Sequence, residues 1–120
     1  MASNSGSDSG DLALQVRREA DGMVLEARGE VTVFTSPALR QELRKIALER
    51  PRVLIIDLAG TVYVDSSGVA TLVEGLQLVQ KYGGKLVLAG MNDRVRGVFE
   101  IARLDSVFQI AGSVEEALKK

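Results

Sequence analysis

The segment Asp65-Ser66-Ser67-Gly68 contains the residue types that could do chemistry in this chain. It lies between an apolar, strand-like stretch at 62–64 and a helix-like stretch that begins at Val69, and open α/β sheets bind ligands at this end of their strands. At a helix N-terminus the first backbone N–H groups lack partners and carry partial positive charge, so a phosphoryl group on either serine would be stabilised. Gly68 would leave room for another molecule to approach. The sequence therefore predicts a modification and binding site at this junction.

Other interpretations of the same residues remain open. Asp-Ser-Ser before a helix is also an ordinary capping sequence, and a cap can coexist with a modification site. Asp57 and Asp65 could chelate a hard cation as a carboxylate pair. The glycines do not form the GxxxxGK[ST] phosphate loop, and Gly83-Gly84 follows a helix instead of a strand, which disfavours nucleotide binding. Our prediction is that the chain carries no metal ion and no cofactor.

The residue types that are missing restrict the chemistry further. The sequence has 0 His and 0 Cys, which excludes an imidazole base, a thiolate nucleophile, a zinc knuckle and a disulfide framework. The carboxylates are scattered, so no activated nucleophile with a neighbouring base is indicated. The sequence predicts a substrate and ligand of other proteins, with no enzymatic activity. A small phosphotransfer or nucleotide-hydrolysing enzyme is the remaining alternative from a different class.

Charge and hydropathy indicate the expected surroundings of the protein. The 15 basic and 16 acidic residues leave a net charge of −1, which provides no field for gathering nucleic acid or anionic lipid. No apolar stretch approaches the ~18 residues of a membrane-spanning helix. Residues 1–11 lack the basic and apolar regions of a signal peptide. We expect a cytoplasmic protein that neither binds nucleic acid directly nor inserts into a membrane.

The length of 120 residues predicts one domain. Residues 1–11 are nearly all Ser, Gly, Asn and Asp, and we expect a disordered leader there, followed by a folded domain at 12–120. Alternating apolar residues at 12–19 and 23–28, separated by Asp21-Gly22, predict an antiparallel hairpin. The nearly continuous apolar run at 53–58 predicts a central parallel strand that is covered on both faces.

After the hairpin, helical and strand-like patterns alternate. Helices are predicted over 37–49, 69–81, 93–102 and 114–120, with further strands over 62–64, 85–89 and 107–110. Ser36 is expected to cap the first helix, because Pro37 suits its first position. Phe34 and Phe108 are expected to be buried. Together these patterns predict an α/β domain with a mixed, mostly parallel sheet, an N-terminal antiparallel hairpin and about four helices.

Four segments of the chain carry a family resemblance. They are VLIIDL, TVYVDSSGVATLVEGLQL, GGKLVLAG and VRGVFEIARLDSVFQI. In this order and spacing they resemble the STAS family of anti-sigma factor antagonists, and the resemblance covers 12–120. Its most specific element is Asp-Ser-Ser-Gly between a strand and a helix. The resemblance implies a bacterial regulator of transcription with a STAS-like fold.

The function that this resemblance implies is partner switching in signal transduction. In that family the unmodified antagonist binds an anti-sigma factor that is also a serine kinase, which frees the sigma factor. Phosphorylation of the serine after the Asp blocks binding, and a serine phosphatase restores it. That serine corresponds to Ser66, with Ser67 as the second candidate. The partner-binding residues implied are Asp65, Ser66, Ser67, Gly68, Glu30 and Thr32.

One position departs from the family pattern. The early turn of the family reads Gly-Glu-hydrophobic-Asp, whereas Thr32 stands at the last place here. A hydroxyl therefore replaces the carboxylate that is often present near the acceptor serine.

A second kind of STAS protein remains possible. The stretch 90–95 resembles small cytoplasmic subunits of phospholipid-transport ABC complexes, in which the domain contacts an ATPase and its permease. Neighbouring genes would separate the two alternatives, since one implies a kinase-like anti-sigma factor and the other a transporter.

Overall fold

The computed structural model describes residues 8–9, 11–20 and 22–119. Over these residues the strands are β1 (Asp8–Ser9), β2 (Leu12–Glu19), β3 (Gly22–Val31), β4 (Val53–Asp57), β5 (Thr61–Val64), β6 (Lys85–Ala89) and β7 (Gln109–Ala111). The helices are α1 (Ser36–Leu48), α2 (Ser66–Lys81), α3 (Asp93–Ile101) and α4 (Val114–Leu118).

All of these strands belong to one mixed sheet. Its order is β1-β2-β3-β4-β6-β7, and β5 pairs with β3 outside this path. The pairs β1–β2 and β2–β3 are antiparallel. The pairs β3–β4, β3–β5, β4–β6 and β6–β7 are parallel. The predicted fold class, with its N-terminal hairpin and mostly parallel sheet, is confirmed.

The central strand β4 is covered on both faces. Leu54 and Ile56 belong to the main hydrophobic core, to which α1, α2 and α3 also contribute. Ile55 points to the opposite face, into a smaller core that includes Ala117 of α4. Side chains alternate across a strand, so a strand between two layers must be apolar at successive positions. The prediction from the apolar run at 53–58 is confirmed.

Strand β3 is long enough to pair with two successive strands on the same side. Its residues 22–26 pair with β4, and its residues 29–31 pair with β5, with an irregularity between Gly29 and Glu30. Gly29 has a φ of +118°, and a Cβ there would lie 1.8 Å from the carbonyl oxygen of Asp11. Only glycine fits this position. As a result, the end of β5 lies beside the chain that leaves β3.

Two local expectations are wrong. Ser36 is the first residue of α1, and the residue before it, Thr35, makes no side-chain cap bond to the helix. Instead, Thr35 Oγ1 accepts from the backbone N–H of Thr32 and donates to the carbonyl of Glu30. The seventh strand begins at Gln109, two residues later than predicted, because the preceding residues form turns.

The structure also bears on the N-terminal segment. Asp8 and Ser9 form β1, with Ser9 opposite Leu12 of β2, so strand pairing extends into the segment expected as a leader. Residues 1–7 and 10 lie outside the described residues, and so does Asp21 of the predicted hairpin turn.

Candidate functional site

Asp65 joins β5 to α2 and caps the helix. Its backbone is extended, and its Oδ1 accepts a hydrogen bond of 3.1 Å from the N–H of Gly68. The Asp65 N–H donates to the carbonyl of Val31 at 3.0 Å, which fixes the junction against the end of β3. The predicted cap at the start of this helix is confirmed.

The second carboxylate oxygen of Asp65 contacts a different segment. Oδ2 accepts a hydrogen bond of 3.1 Å from the N–H of Val33. Val33 lies in the β3–α1 loop, which we define as Thr32–Thr35. One side chain therefore bonds both this loop and the first turn of α2, and no local sequence pattern indicated that contact.

The β3–α1 loop exposes apolar side chains. Phe34 is 86% exposed and Val33 57% exposed, so the prediction that Phe34 is buried is wrong, whereas Phe108 is buried as predicted. An apolar residue between a strand and a helix is typical of a core residue, but the tip of this loop directs its side chains to solvent. This exposed ring is a functional candidate that sequence reasoning missed.

Strand β5, which ends next to Asp65, also exposes apolar residues. Val62 and Tyr63 are both exposed, and the guanidinium of Arg94 lies 5.6 Å from the centre of the Tyr63 ring. The loop and β5 meet at Asp65 through the bonds described above. Exposed apolar residues therefore occur on both segments that meet at Asp65, and exposed apolar patches are typical of protein-binding surfaces.

Ser66 is the exposed serine of the junction. It is the first residue of α2, whereas Ser67 is only partly exposed and its carbonyl accepts from Thr71 Oγ1 at 2.9 Å. Gly68 is buried, and a Cβ there would lie 2.7 Å from Val31 Cγ1. The missing side chain of Gly68 thus serves internal packing instead of leaving room for another molecule. A direct contact between Gly68 and a partner stays a prediction.

The residues predicted to bind a partner come together at this end of the sheet. A groove beside the junction is lined by Asp11, Glu30, Thr32, Val33, Phe34, Thr35 and Asp65. Three of these residues are acidic. Thr32, at the position where the family pattern has Asp, accepts a hydrogen bond at its Oγ1 from the N–H of Phe34. Its hydroxyl therefore shapes the β3–α1 loop.

The two carboxylates considered as a cation pair, Asp57 and Asp65, both accept hydrogen bonds from the backbone. Asp57 Oδ1 accepts from the N–H of Ala59 at 3.0 Å, and both oxygens of Asp65 accept from backbone N–H groups. Within the part of the chain that the structure describes, no group of three or more acidic, histidine or cysteine side chains could hold a metal ion. Over the same part of the chain, none of the helices combines the length and apolar character that crossing a bilayer requires.

An ion-pair network holds α2 against α1. Arg40 and Arg44 of α1 both donate to the carboxylate of Glu74, at 2.9 and 2.8 Å. These hydrogen bonds, with that from Arg44 contributing most, lower the pKa of Glu74. Arg40 also approaches Thr71 Oγ1 at 3.4 Å, one turn after Ser67. Helix α2 is therefore anchored to α1, the helix that follows the β3–α1 loop.

Residues 12–117 match the STAS domain family. The chain belongs to this family. Among the relatives of this STAS domain is the anti-sigma-B factor antagonist of Bacillus subtilis, which is 29% identical over 105 residues, covering 88% of this chain and 95% of the relative.

Solved structures share the fold of this STAS domain. An anti-sigma factor antagonist from Mycobacterium paratuberculosis superposes with a TM-score of 0.84 at 23% identity, covering 90% of this chain and 92% of that one. The anti-sigma factor antagonist SpoIIAA in its unphosphorylated form gives a TM-score of 0.77 at 20% identity, covering 89% and 94%. The Bacillus SpoIIAA in its phosphorylated form gives 0.70 at 19% identity, covering 89% and 97%.

Proposed function

We propose that this STAS domain is an anti-sigma factor antagonist of the bacterial cytoplasm. In its unmodified state it binds an anti-sigma factor and thereby frees a sigma factor. A relative of nearly the same length carries this function in its name. The observation that carries the assignment is an exposed serine, Ser66, at the first position of α2, directly after Asp65, whose carboxylate bonds the loop that exposes Phe34. A serine in such a position is accessible to a kinase and to a binding partner.

Phosphorylation of Ser66 switches the domain off. The anti-sigma factor, acting as a serine kinase, transfers the γ-phosphoryl group of ATP to Ser66 Oγ, which loses its proton, and ADP leaves. The N-terminus of α2 stabilises the added charge by about 0.3–1 kcal/mol, so the fold tolerates the modification. A serine phosphatase hydrolyses the phosphoester and restores binding. That one relative has been solved in phosphorylated and unphosphorylated forms supports such a cycle.

The surroundings of Ser66 explain why the phosphoryl group would weaken the complex. Phe34, Val33 and Tyr63 expose apolar surface that a partner would cover, so the phosphate would have to lose water on binding. Asp65 and Glu30 already contribute negative charge to the adjacent groove. A phosphate next to carboxylates in an apolar interface disrupts binding through like-charge repulsion and desolvation.

In this function the domain is a substrate and a ligand, and it catalyses nothing itself. The chain has 0 His and 0 Cys to supply a base or a thiolate nucleophile. Purified protein should therefore not turn over ATP or GTP. Sustained turnover that is lost in Ser66→Ala and persists through further purification would contradict this view.

Capture of partners from native lysate tests the proposed function. Tagged wild type, Ser66→Ala, Ser66→Asp and the control Ser106→Asp are compared; Ser106 is an exposed serine in the turns before β7. We expect a kinase-like anti-sigma factor to co-purify with every form except Ser66→Asp. Equal capture by Ser66→Asp would contradict the switch. Capture of an ABC ATPase with its permease would instead support the transporter alternative.

A further inference from the structure

The two oxygens of Asp65 bond two segments that are far apart in sequence. Oδ1 accepts from Gly68 in α2, and Oδ2 accepts from Val33 in the β3–α1 loop, each at 3.1 Å. Ser66 follows Asp65 directly, and Phe34 follows Val33 directly. Asp65 is therefore adjacent in sequence to the exposed serine and bonds the residue that precedes the exposed ring.

The base of the β3–α1 loop is held by its own hydrogen bonds. Thr35 Oγ1 bonds Thr32 and Glu30 at 2.9 and 2.8 Å, and the N–H of Ser36 donates to the carbonyl of Thr32 at 2.7 Å. These bonds stay within the segment 30–36. They order the loop where it leaves β3 and enters α1.

The outer part of the loop has much weaker support. The side chains of Val33 and Phe34 are exposed, so core packing does not fix them. The N–H of Phe34 reaches only Thr32 Oγ1, at 3.2 Å, inside the loop itself. Among the described residues, the bond from Val33 to Asp65 is the hydrogen bond that ties this part of the loop to the start of α2.

We infer that Asp65 is a positioning residue that couples the state of Ser66 to the direction of the Phe34 ring. This role rests on the proposed function of Ser66. In the unmodified protein Asp65 holds the β3–α1 loop so that Phe34 is presented beside Ser66. Modification of Ser66 displaces the carboxylate and releases Val33, and Phe34 then loses its fixed direction.

Electrostatics explains this displacement. A phosphoryl group on Ser66 and the carboxylate of Asp65 compete for the same N–H groups at the first turn of α2, including that of Gly68. Like charges on adjacent residues repel one another. The phosphate carries up to two negative charges and the carboxylate one, so the phosphate is favoured at the helix N-terminus. A ring that must be ordered again on binding lowers the affinity for a partner.

Hydrogen exchange of single backbone amides tests this coupling without any partner protein. The samples are wild type, protein with phosphoserine incorporated at position 66 during translation, Asp65→Ala, and the control Ser113→Ala. Ser113 caps α4 by accepting from the N–H of Glu116, so its variant loses a helix cap elsewhere in the fold. We expect the Val33 amide to exchange about tenfold faster in the phosphoserine protein and in Asp65→Ala, and at the wild-type rate in Ser113→Ala.

Fluorescence gives a second measurement at Phe34. The chain has 0 Trp, so Phe34→Trp provides a single reporter on the β3–α1 loop. Its time-resolved anisotropy should decay faster when position 66 carries phosphoserine. An unchanged Val33 exchange rate and unchanged anisotropy in the phosphoserine protein would overturn the coupling. These two measurements contain no partner protein, so a negative result would not affect the capture experiment on Ser66. Failure of the capture experiment would likewise not change the exchange rate or the anisotropy.

Discussion

Gly68 of α2 lies directly against Val31 at the end of β3. A Cβ on Gly68 would come within 2.7 Å of Val31 Cγ1 and 2.9 Å of the Val31 carbonyl oxygen. Helix α2 can start this close to the strand only because position 68 has no side chain. The close approach brings Asp65 within reach of Val33, and it therefore determines the geometry of the whole site.

Gly68→Ala should destabilise the fold. The added methyl group must displace Val31 or Val64, both of which are buried, and overpacking of this kind costs about 1–3 kcal/mol. Chemical denaturation would measure the change in the free energy of unfolding. Gly97→Ala is the matched control, because nothing lies within 4 Å of the added Cβ and the position is inside α3. That variant should be more stable than wild type by about 0.5–1 kcal/mol. Equal stability of Gly68→Ala and wild type would contradict the packing account.

Ser66→Asp should keep the native fold. A negative charge at the first position of α2 interacts favourably with the helix dipole, by about 0.3–1 kcal/mol. We therefore expect thermal unfolding within a few degrees of wild type and an unchanged circular dichroism spectrum. If the variant loses its native spectrum together with its binding, the substitution acts through stability and the proposed switch is wrong.

Phe34→Ala should weaken partner binding while sparing the fold. The side chain is 86% exposed, so its removal should change the free energy of unfolding by no more than about 0.5 kcal/mol. As an aromatic anchor in an interface it should contribute about 2 kcal/mol, or roughly 30-fold in affinity for the anti-sigma factor. Leu48→Ala is the control, since Leu48 is 83% exposed at the far end of α1. Equal affinity of the two variants would show that Phe34 lies outside the interface.

Acid stability should depend on Glu74. Hydrogen bonds from Arg44 and Arg40 lower the pKa of Glu74 below its ordinary value of 4.5. The folded state thus favours the charged form of Glu74 more than the unfolded state does. The contribution of Glu74 to the free energy of unfolding is therefore present above pH 4.5 and is lost as the pH falls through the folded-state pKa. Because Glu74 is partly exposed, the contribution should be small, as in other solvent-accessible ion pairs. Denaturation of Glu74→Gln should show a shallower loss of stability in this range, and an unchanged acid slope would contradict the assignment.

The sequence predicted those features that depend on local patterns. The apolar run at 53–58 predicted a strand covered on both faces, and Leu54 and Ile55 face opposite cores. The Asp before two serines indicated a helix cap, and Asp65 caps α2. In both cases the residue types and their spacing along the chain determine the outcome, so no knowledge of distant segments was needed.

Features that depend on tertiary contacts could not be predicted. The bond from Val33 to Asp65 joins residues 32 positions apart, and it exists because β3 pairs with both β4 and β5. Phe34 has the composition of a core residue, and only the outward course of the β3–α1 loop exposes it. Ser36 is the first residue of α1 instead of its cap, and the hydroxyl of the preceding Thr35 bonds within the loop, a contact that no local pattern indicates.

The most direct test of the switch is the dissociation constant of the complex with the anti-sigma factor, measured before and after phosphorylation, with the modified residue mapped by peptide analysis. We predict phosphate on Ser66, a dissociation constant raised by about 100-fold or more, and unchanged tight binding by Ser66→Ala in the presence of ATP. Phosphate on Ser67 or Thr71 with Ser66 unmodified, or equal affinity of the two forms, would contradict the account.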